Sequence, residues 1–376
     1  MKKVLFSTTA LAAAGALAFG AQDAQAQSKA KKMSIGLGGF MKQFVAFSEQ
    51  DGSFESTTNS TARVGYDSFN ITSDSEVYFR GTTKMDNGVG VSVVIQLEAD
   101  AHNGGASIDE SYVKLTGGFG DIRLGATKHA SFVLKHRAPV VGAHPLDSPD
   151  SNNYIVRPAA FGFNPATHIG GGDAVKVVYI SPKFADAIRV GASYVPSSAA
   201  GNGLAAVGGN DGTDNQTYDA MVSYESKLGS TSVKADVGYH EVHGEANASL
   251  KAWRGGVNLG FGGVTVGLGY KDQSDIDTGK GGTANSDEET VYDVGVSFKA
   301  GGWTLGATYL HGERPLASGT QGDDEVDKYS LGGKYALGPG INLSSQFMYV
   351  EWDNESTADA DNNDGWALIA GVEVAF

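Results

Sequence analysis

The sequence predicts an all-β fold, namely a 16-stranded antiparallel transmembrane β-barrel. Three observations lead to this prediction. Apolar and polar side chains alternate in almost every extended segment, the connections alternate between short and long, and aromatic residues gather at the strand ends. A wall with lipid on one side and water on the other requires this alternation. The composition agrees, because 53 glycines, 9 prolines and 10% aromatic residues indicate strands and turns rather than helices.

The amino terminus predicts export. Residues 1–26 combine a basic MKK start, an apolar run of small residues and an Ala24-Gln25-Ala26 cleavage site, which is typical of a secretory signal peptide. A membrane anchor is the alternative, but no stop-transfer pattern follows. We therefore expect a mature chain of residues 27–376 that forms one β-barrel domain.

The remaining composition excludes several classes of protein. No later segment approaches the ~18 uninterrupted apolar residues of a spanning helix. Cysteine is absent, so disulfides and thiol chemistry are excluded. The net charge of −15 disfavours nucleic acid as a partner.

The carboxyl-terminal segment DGWALIAGVEVAF shows the alternation clearly. One face of an extended strand contains Trp366, Leu368 and Val372, and the other contains Gly371 and Glu373. The segments VTVGLGYK and TVYDVGVSFK repeat the scheme, with one apolar face and one face of polar residues or glycine.

Counting such segments gives sixteen strands, an even number. The first strand is ambiguous in phase, because GGFMKQFVAF has apolar residues on both faces. The predicted ranges are 33–49, 68–85, 89–100, 109–118, 121–127, 173–182, 187–196, 216–228, 231–244, 247–261, 264–275, 288–299, 303–314, 326–337, 341–353 and 364–376.

The connections between these strands alternate in length. Short turns such as DNG, LGS and AGG are interleaved with long polar loops such as DNESTADADNND. Short periplasmic turns and longer outer loops are typical of an outer-membrane barrel. A soluble β-sandwich also alternates, but it would need marked edge strands, and the sequence has no such pair.

A barrel of this size predicts a pore. Sixteen strands enclose a lumen too wide for wall side chains to fill, so an aqueous channel is expected. Glycines predicted to face the lumen are expected to leave room for water, and these are Gly191, Gly238, Gly267, Gly295 and Gly332.

One connection breaks the length pattern. Residues 128–172 separate the fifth and sixth strands and contain five of the nine prolines. A connection this long is usually functional or disordered. Its apolar content, including Phe132, Tyr154 and Phe161, predicts that it packs against something, and the inside of the barrel is available.

Several blocks resemble the general diffusion porins of Gram-negative bacteria, particularly the alphaproteobacterial and neisserial branch. They are DSEVYFRGTTKMDNGVGVSVVIQLEA, DESYVKLTGGFGDIRLG, VKVVYISPKFADAIRVGASYVP and the terminal GVEVAF. The resemblance implies a homotrimer of 16-stranded barrels in the outer membrane, in contact with lipid and lipopolysaccharide. It implies a third outer loop folded inward as a constriction for small hydrophilic solutes, and a Phe376 recognised by the barrel insertion machinery.

The same resemblance implies a charged constriction, with acids on the inward loop facing bases on the wall. The loop acids would be Asp147 and Asp150. The alternative for each base is a solvated charge at the rim of the pore. The wall bases predicted to face the lumen are Arg80, Arg123, Lys42, Lys84 and Lys114.

The inward loop departs from the family pattern in its charge. Its bases Lys128, Lys135, Arg137 and Arg157 exceed its two aspartates, so its formal charge is +2. The loop also contains His129, His136, His144 and His168. Anion-tolerant or pH-sensitive conductance is therefore a hypothesis.

Acidic residues concentrate in the long outer loops. A solvated anionic rim is the simpler interpretation, and calcium binding by clustered carboxylates is the other. The densest cluster is Asp353, Asp359, Asp361 and Asp364, which lacks EF-hand spacing. No other cofactor is expected.

Other functions are disfavoured or left open. An outer-membrane hydrolase would need catalytic groups held together in a water-excluded pocket. His240 and His243 in HEVH are three residues apart on a strand, so they point to opposite faces and do not predict a metal site. A substrate-selective or anion-selective channel, and a barrel acting mainly as an adhesin or structural protein, stay open alternatives.

Overall fold

The computed structural model describes residues 32–57, 65–100, 107–196, 215–244, 249–277, 288–315 and 322–376. These residues form a closed barrel of sixteen strands, in which each strand pairs with its sequence neighbours and β1 pairs with β16. Neighbouring strands are antiparallel all the way around the wall, including the pair that closes it. The predicted signal peptide, residues 1–26, lies outside the described residues.

The strand bounds agree with the sequence prediction within a few residues, and the predicted 16-stranded antiparallel barrel is confirmed. The strands are β1 Ser34–Gln50, β2 Phe69–Lys84, β3 Gly90–Glu98, β4 Ile108–Gly117, β5 Gly120–Ala126, β6 Val175–Ile180, β7 Ile188–Val195, β8 Asn215–Leu228, β9 Thr231–Gly244, β10 Ser249–Phe261, β11 Val264–Asp277, β12 Glu289–Ala300, β13 Trp303–Pro315, β14 Asp323–Gly338, β15 Ile341–Asp353 and β16 Asn363–Ala375.

Helical structure is short and lies in the connections. Two α-helices span Gly52–Thr57 and Ala130–Val133, and a 3₁₀ helix spans Pro149–Asn153. In the described part of the chain, none of the helices has the length and apolar character needed to cross a membrane.

The outer face of the barrel is apolar, as the alternation predicts. Leu268, Val296 and Leu368 are exposed at 44%, 43% and 50% of their surface. Residues paired directly across neighbouring strands share a face, so the register Leu268↔Val294 continues the apolar face from strand to strand.

The barrel closes between the first and last strands. The register runs from Phe40↔Ala375 to Gln50↔Gly365. The backbones of Gly39 and Phe376 exchange two hydrogen bonds of 3.0 and 3.1 Å. Phe376 therefore belongs to the seam that completes the cylinder.

The wall is not equally tall on all sides. Strands β5, β6 and β7 contain 7, 6 and 8 residues, whereas β14 contains 16. The long connection between β5 and β6 begins in this low sector and turns into the barrel.

Candidate functional site: the third loop and the lumen wall

Residues 128–172, called the third loop below, lie against the inner side of the barrel wall. Near the start of the loop, Ala130 donates its backbone N–H to Ser193 on β7 at 2.7 Å. Midway along the loop, the Tyr154 hydroxyl lies 2.7 Å from the Thr72 hydroxyl on β2. These contacts agree with the expectation that the segment packs inside the barrel.

A row of wall side chains accepts hydrogen bonds from the backbone of the third loop. Asp236 on β9 accepts from the His136 N–H at 2.5 Å, and Asp293 on β12 accepts from the Ala138 N–H at 2.9 Å. Further along, Gln346 on β15 accepts from the N–H of His144 at 2.7 Å. These bonds satisfy loop amides that would otherwise be buried without a partner. The loop is thus fixed to the wall at intervals.

The returning arm of the loop is held by the same wall. The Thr167 hydroxyl donates to Asp293 at 3.0 Å, and the Thr167 carbonyl accepts from Arg254 Nε at 3.1 Å. Arg254 is 2% exposed and also forms an ion pair with Asp236. Asp293 therefore accepts hydrogen bonds from both arms of the loop.

Lumen glycines provide the surface on which the loop lies. A Cβ atom at Gly332 would collide with the Val141 carbonyl oxygen, and one at Gly267 would lie 2.7 Å from the Arg137 carbonyl oxygen. The expectation that the lumen glycines leave room for water is wrong where atoms of the third loop occupy that space. The predicted lumen glycines affected in this way are Gly191, Gly267, Gly295 and Gly332.

An apolar cluster fixes the far half of the loop. Phe161 is 2% exposed, and its ring centroid lies 4.8 Å from that of the buried Trp352 on β15. Phe44 on β1 is 1% exposed and contacts the His144 ring at 5.1 Å between centroids. Burial of such rings supplies most of the packing energy of the cluster. The cluster also explains why the first strand has apolar residues on both faces.

Asp147 does not present its charge to the lumen. Its side chain is 2% exposed, and it forms an ion pair with Arg137 of the same loop. The Thr167 hydroxyl also donates to Asp147 at 3.2 Å. A buried carboxylate paired in this way has its field largely cancelled at short range. The structure therefore places this predicted constriction acid within the packing of the loop.

Asp150 is the more accessible loop acid, with 41% of its side chain exposed. Ser148 Oγ donates to it at 2.6 Å, and His144 Nδ1 lies 3.4 Å away. Burial works to raise the pKa of Asp150, but the hydrogen bonds from His144 and Ser148 outweigh it and lower the pKa. The carboxylate is therefore ionised in ordinary conditions.

The loop bases differ in their partners. Lys128 forms an ion pair with Asp173, and Arg157 donates to the Phe163 carbonyl at 2.9 Å. Lys135 lies over the Phe132 ring, with Nζ 2.8 Å from the centroid. Burial, together with the neighbouring charge of Arg137, lowers the pKa of Lys135 to about 6.

Three of the four loop histidines are held neutral. Burial lowers the pKa of His129 to about 4 and that of His168 to about 3, with nearby lysines adding to the effect. Burial also lowers the pKa of His136. These directions do not favour the hypothesis that the three histidines become charged near neutral pH, whereas the lowered pKa of Lys135 brings its charge change toward that range.

The wall from β2 to β5, called the open wall below, has charged side chains with fewer partners. The guanidinium of Arg80 lies over the Tyr78 ring at 5.0 Å, and that of Arg123 over the Tyr112 ring at 5.6 Å. Across the residues described for this chain, no carboxylate forms an ion pair with Arg80 or Arg123.

The other predicted wall bases behave differently from one another. Lys42 forms an ion pair with Asp74 at 2.5 Å, so its charge is locally balanced. Lys114 is half-buried and pairs in register with Arg123. Lys84 is exposed at the end of β2, close to a short turn. The register places Arg80, Lys114 and Arg123 on the lumen face of one wall.

Three acids on the open wall were not singled out from the sequence. Glu76, Glu98 and Asp109 bring carboxylate oxygens within 4.8 Å of one another. Glu76 and Glu98 are direct partners across β2 and β3. Glu76 and Glu98 occupy polar positions of two alternating strands, so the sequence alone could have predicted that both face the lumen. The irregular register of β3 with β4, next to which Asp109 lies, was not readable from the sequence.

The four outer-loop aspartates proposed for calcium are not brought together in this way. Among the described residues, the group of three close carboxylates is the one on the open wall, and Asp353, Asp359, Asp361 and Asp364 are not part of it. Asp364 instead accepts a hydrogen bond from the Tyr349 hydroxyl at 3.0 Å. Calcium binding at these loops stays a prediction.

The HEVH motif is divided between two faces. His240 lies on the lumen side, with Nδ1 3.7 Å from Asp219 Oδ2, and His243 pairs with Glu241 at 2.9 Å on the other side. The two rings do not share a ligand, as the strand geometry predicts.

Comparisons with known proteins agree with this architecture. The family model described as Gram-negative porin matches residues 8–355. A search of curated protein sequences finds no match.

Solved structures with the same fold include two porins and one further outer membrane protein. An anion-selective porin from Comamonas acidovorans is 16% identical, with 92% of this chain and 100% of that chain covered and a TM-score of 0.63. The trimer form of in vitro folded OmpT, an outer membrane protein of Vibrio cholerae, is 13% identical, with 92% and 100% coverage and a TM-score of 0.62. A further porin structure is 19% identical, with 91% and 100% coverage and a TM-score of 0.61.

Proposed function

Because the chain belongs to the Gram-negative porin family and forms an outer-membrane channel for passive diffusion, we propose that its ion selectivity comes from the open wall. The observation behind this proposal is the contrast between Asp147, which is buried in an ion pair, and Arg80 and Arg123, which have no carboxylate partner among the described residues. Small hydrophilic solutes and ions are the proposed cargo, and they pass between the third loop and the open wall.

The proposal differs from a field that runs from loop acids to wall bases. Of the two predicted loop acids, only Asp150 remains accessible, and it accepts hydrogen bonds from its own segment. Unpaired charges in a confined aqueous path act on passing ions more strongly than paired ones. The wall bases are therefore expected to outweigh the loop acids.

Reversal potentials in a salt gradient test this. Replacing Arg80 and Arg123 together with glutamine removes two unpaired positive charges, and we expect a clear shift of the zero-current potential toward cation preference. Lys183→Gln is the matched control, since this exposed lysine pairs with Glu225 outside the constriction. Equal shifts in the two variants would contradict the proposal.

Single-channel recording separates the channel from the alternative of a barrel that acts mainly as an adhesin or structural protein. A water-filled pore gives steady conductance in a planar bilayer, whereas a plugged barrel gives little. The same recording bears on the expectation that the protein is not an enzyme, because steady conductance needs an open lumen rather than a closed catalytic pocket.

We also propose a homotrimer that covers the low sector of the wall. A transmembrane strand needs ~9–11 residues. Strands β5 and β6 contain only 7 and 6, and their outer face includes the exposed Leu124 and Val177. A neighbouring copy would shield this short wall from lipid. Lipid and lipopolysaccharide would contact the taller sectors.

Variants on the outer face test the trimer. Leu124→Gln with Val177→Gln should yield monomers in detergent, as measured by light scattering with size exclusion. Leu268→Gln with Val296→Gln makes the same change on the tall wall and should leave the trimer intact. Dissociation by both pairs equally would point away from β5 and β6 as the interface.

Phe376 is the proposed signal for the insertion machinery. Its backbone bonds to Gly39 remain available to any side chain, so Phe376→Ala should refold in detergent nearly as well as the unchanged chain. The amount delivered to the outer membrane of cells should fall. A fall in detergent refolding of the same size would assign the residue a purely structural role.

A further inference from the structure

Acidic and basic side chains on the open wall are separated along the strands. In β2, which runs toward a short turn, Glu76 precedes Arg80 by four residues on the same face. In β4, which runs in the same direction, Glu110 precedes Lys114 by the same four residues. Both bases therefore lie nearer the short-turn end of the barrel than the acids of their own strands.

The neighbouring strands extend the same division. Glu98, at the outer end of β3, pairs in register with Glu76. Arg123, near the start of β5, pairs in register with Lys114. Two zones result, an outer acidic zone of Glu76, Glu98 and Asp109 and an inner basic zone of Arg80, Lys114 and Arg123.

Aromatic rings occupy the boundary between the zones. Tyr78 lies between Glu76 and Arg80 along β2, and its ring supports the Arg80 guanidinium at 5.0 Å. Tyr112 has the same position in β4, with the Arg123 guanidinium at 5.6 Å. The rings hold the cations by cation–π attraction without neutralising them.

The spacing of the zones is electrically significant. Four residues of a tilted strand correspond to about 10 Å along the barrel axis. This matches the screening length of about 10 Å at an ionic strength of about 0.1 M. At this ionic strength each zone therefore dominates the potential of its own level, whereas at about 1 M the screening length falls to about 3 Å and neither zone reaches far into the pore.

The nearest loop and wall charges leave this division in place. At the short-turn end, Asp121 lies two residues from Arg123 on the same face and Lys84 ends β2, so these two opposite charges offset each other below the basic zone. Lys42 is paired with Asp74, and Lys128 with Asp173, so both pairs are locally neutral. Glu110, which accepts a hydrogen bond from Thr127 at 2.6 Å, adds to the acidic side.

We infer that the open wall is a bipolar selectivity element, in which an outer zone that prefers cations and an inner zone that prefers anions act in series. This inference rests on the proposed role of the open wall in selectivity and adds an axial direction to it. A potential positive on the outer side drives cations through the acidic zone and anions through the basic zone, so both accumulate at the boundary. The opposite potential draws both kinds of ion away from the boundary and depletes it. The pore therefore rectifies, with a larger conductance when the outer side is positive.

Current–voltage curves of the full chain without its predicted signal peptide, recorded in a planar bilayer, test the inference. The two polarities are compared in KCl at about 0.1 M and about 1 M. Orientation is assigned with a biotin label on Ala358→Cys, an exposed outer-loop position in a chain without native cysteine, and streptavidin added to one chamber.

We expect the outer-positive conductance to exceed the outer-negative conductance about twofold at the lower salt, and the ratio to approach about one at the higher salt. Arg80→Gln with Arg123→Gln should abolish the asymmetry and leave a cation-preferring pore. Glu76→Gln with Glu98→Gln should abolish it and leave an anion-preferring pore. Arg80→Lys with Arg123→Lys, and Lys183→Gln, should retain it.

A steady but symmetric current at low salt would overturn the bipolar element and leave the channel function intact. So would asymmetry that persists in both glutamine pairs. Absence of steady conductance in the unchanged chain would overturn the proposed selectivity of the open wall and this inference with it.

Discussion

The two sides of the lumen use charge in opposite ways. On the side that holds the third loop, Arg254 and Asp236 are buried, paired with each other and bonded to loop backbone. On the open wall, Arg80 and Arg123 rest on tyrosine rings with no carboxylate partner among the described residues. The same residue types therefore hold the loop on one side and act on ions on the other.

The difference in burial and pairing indicates whether a lumen charge holds the loop or acts on ions. A buried pair costs desolvation and makes a structural contribution only when its remaining hydrogen bonds are satisfied, as those of Arg254 are. An unpaired charge facing water contributes little to stability. Substitutions on the two sides should therefore separate into effects on loop position and effects on ion preference.

The largest effect is expected where the loop backbone touches the wall. Gly332→Val places a side chain where the Val141 carbonyl lies, so the loop must move. We expect a destabilisation of about 3 kcal/mol and a changed single-channel conductance, from thermal unfolding and bilayer recording. Gly36→Val is the control, because nothing lies within 4 Å of its added Cβ. Equal effects at both glycines would show that the loop does not depend on this contact.

A smaller effect is expected from Asp293→Ala. The change removes the acceptor for the Ala138 amide and the Thr167 hydroxyl, which costs about 2 kcal/mol if the loop stays in place. Brief closures and open-channel noise should increase, while the reversal potential should move little. Asp293→Asn retains an acceptor oxygen and should be intermediate. Unchanged open-channel noise in both variants would contradict the proposal that the wall on the loop side holds the loop in place.

The smallest effect is expected from Lys135, which belongs to the loop but rests on an aromatic ring rather than a carboxylate. Its pKa is lowered to about 6 by burial and by Arg137, so the amine is neutral above that pH and positive below it. Lowering the pH from about 8 to about 5 should therefore shift the reversal potential toward anions. Lys135→Met should remove this part of the shift. A shift of the same size in that variant would assign it to other groups.

The sequence was sufficient for the fold because the alternation is physical and local. Each strand that alternates as VTVGLGYK does must place its apolar face toward lipid. The number of strands and the direction of their side chains therefore follow from the pattern. The apolar residues on both faces of β1 are visible in the sequence, but the reason for them is not. Phe44 on β1 and Trp352 on β15 face the lumen because the loop covers them, which is a contact distant in sequence.

The site was less predictable because it depends on such distant contacts. The phase of the strands alone assigns Arg80 and Arg123 to the lumen, and the register agrees. The place of Asp147 in the loop suggests a lumen acid, but its burial depends on how the two loop arms meet at Arg137 and Thr167. Pattern gives the direction of a strand side chain, whereas the direction of a loop side chain depends on packing.

The seam between Gly39 and Phe376 has a consequence for assembly. Its partners come from the first and last strands of the barrel, so this ladder closes the longest stretch of chain and carries the greatest loss of chain entropy. No product lacking either strand can complete the cylinder, and a chain interrupted before its final strand exposes two unpaired edges. Biosynthesis must therefore reach the final strand before the protein can tolerate a bilayer.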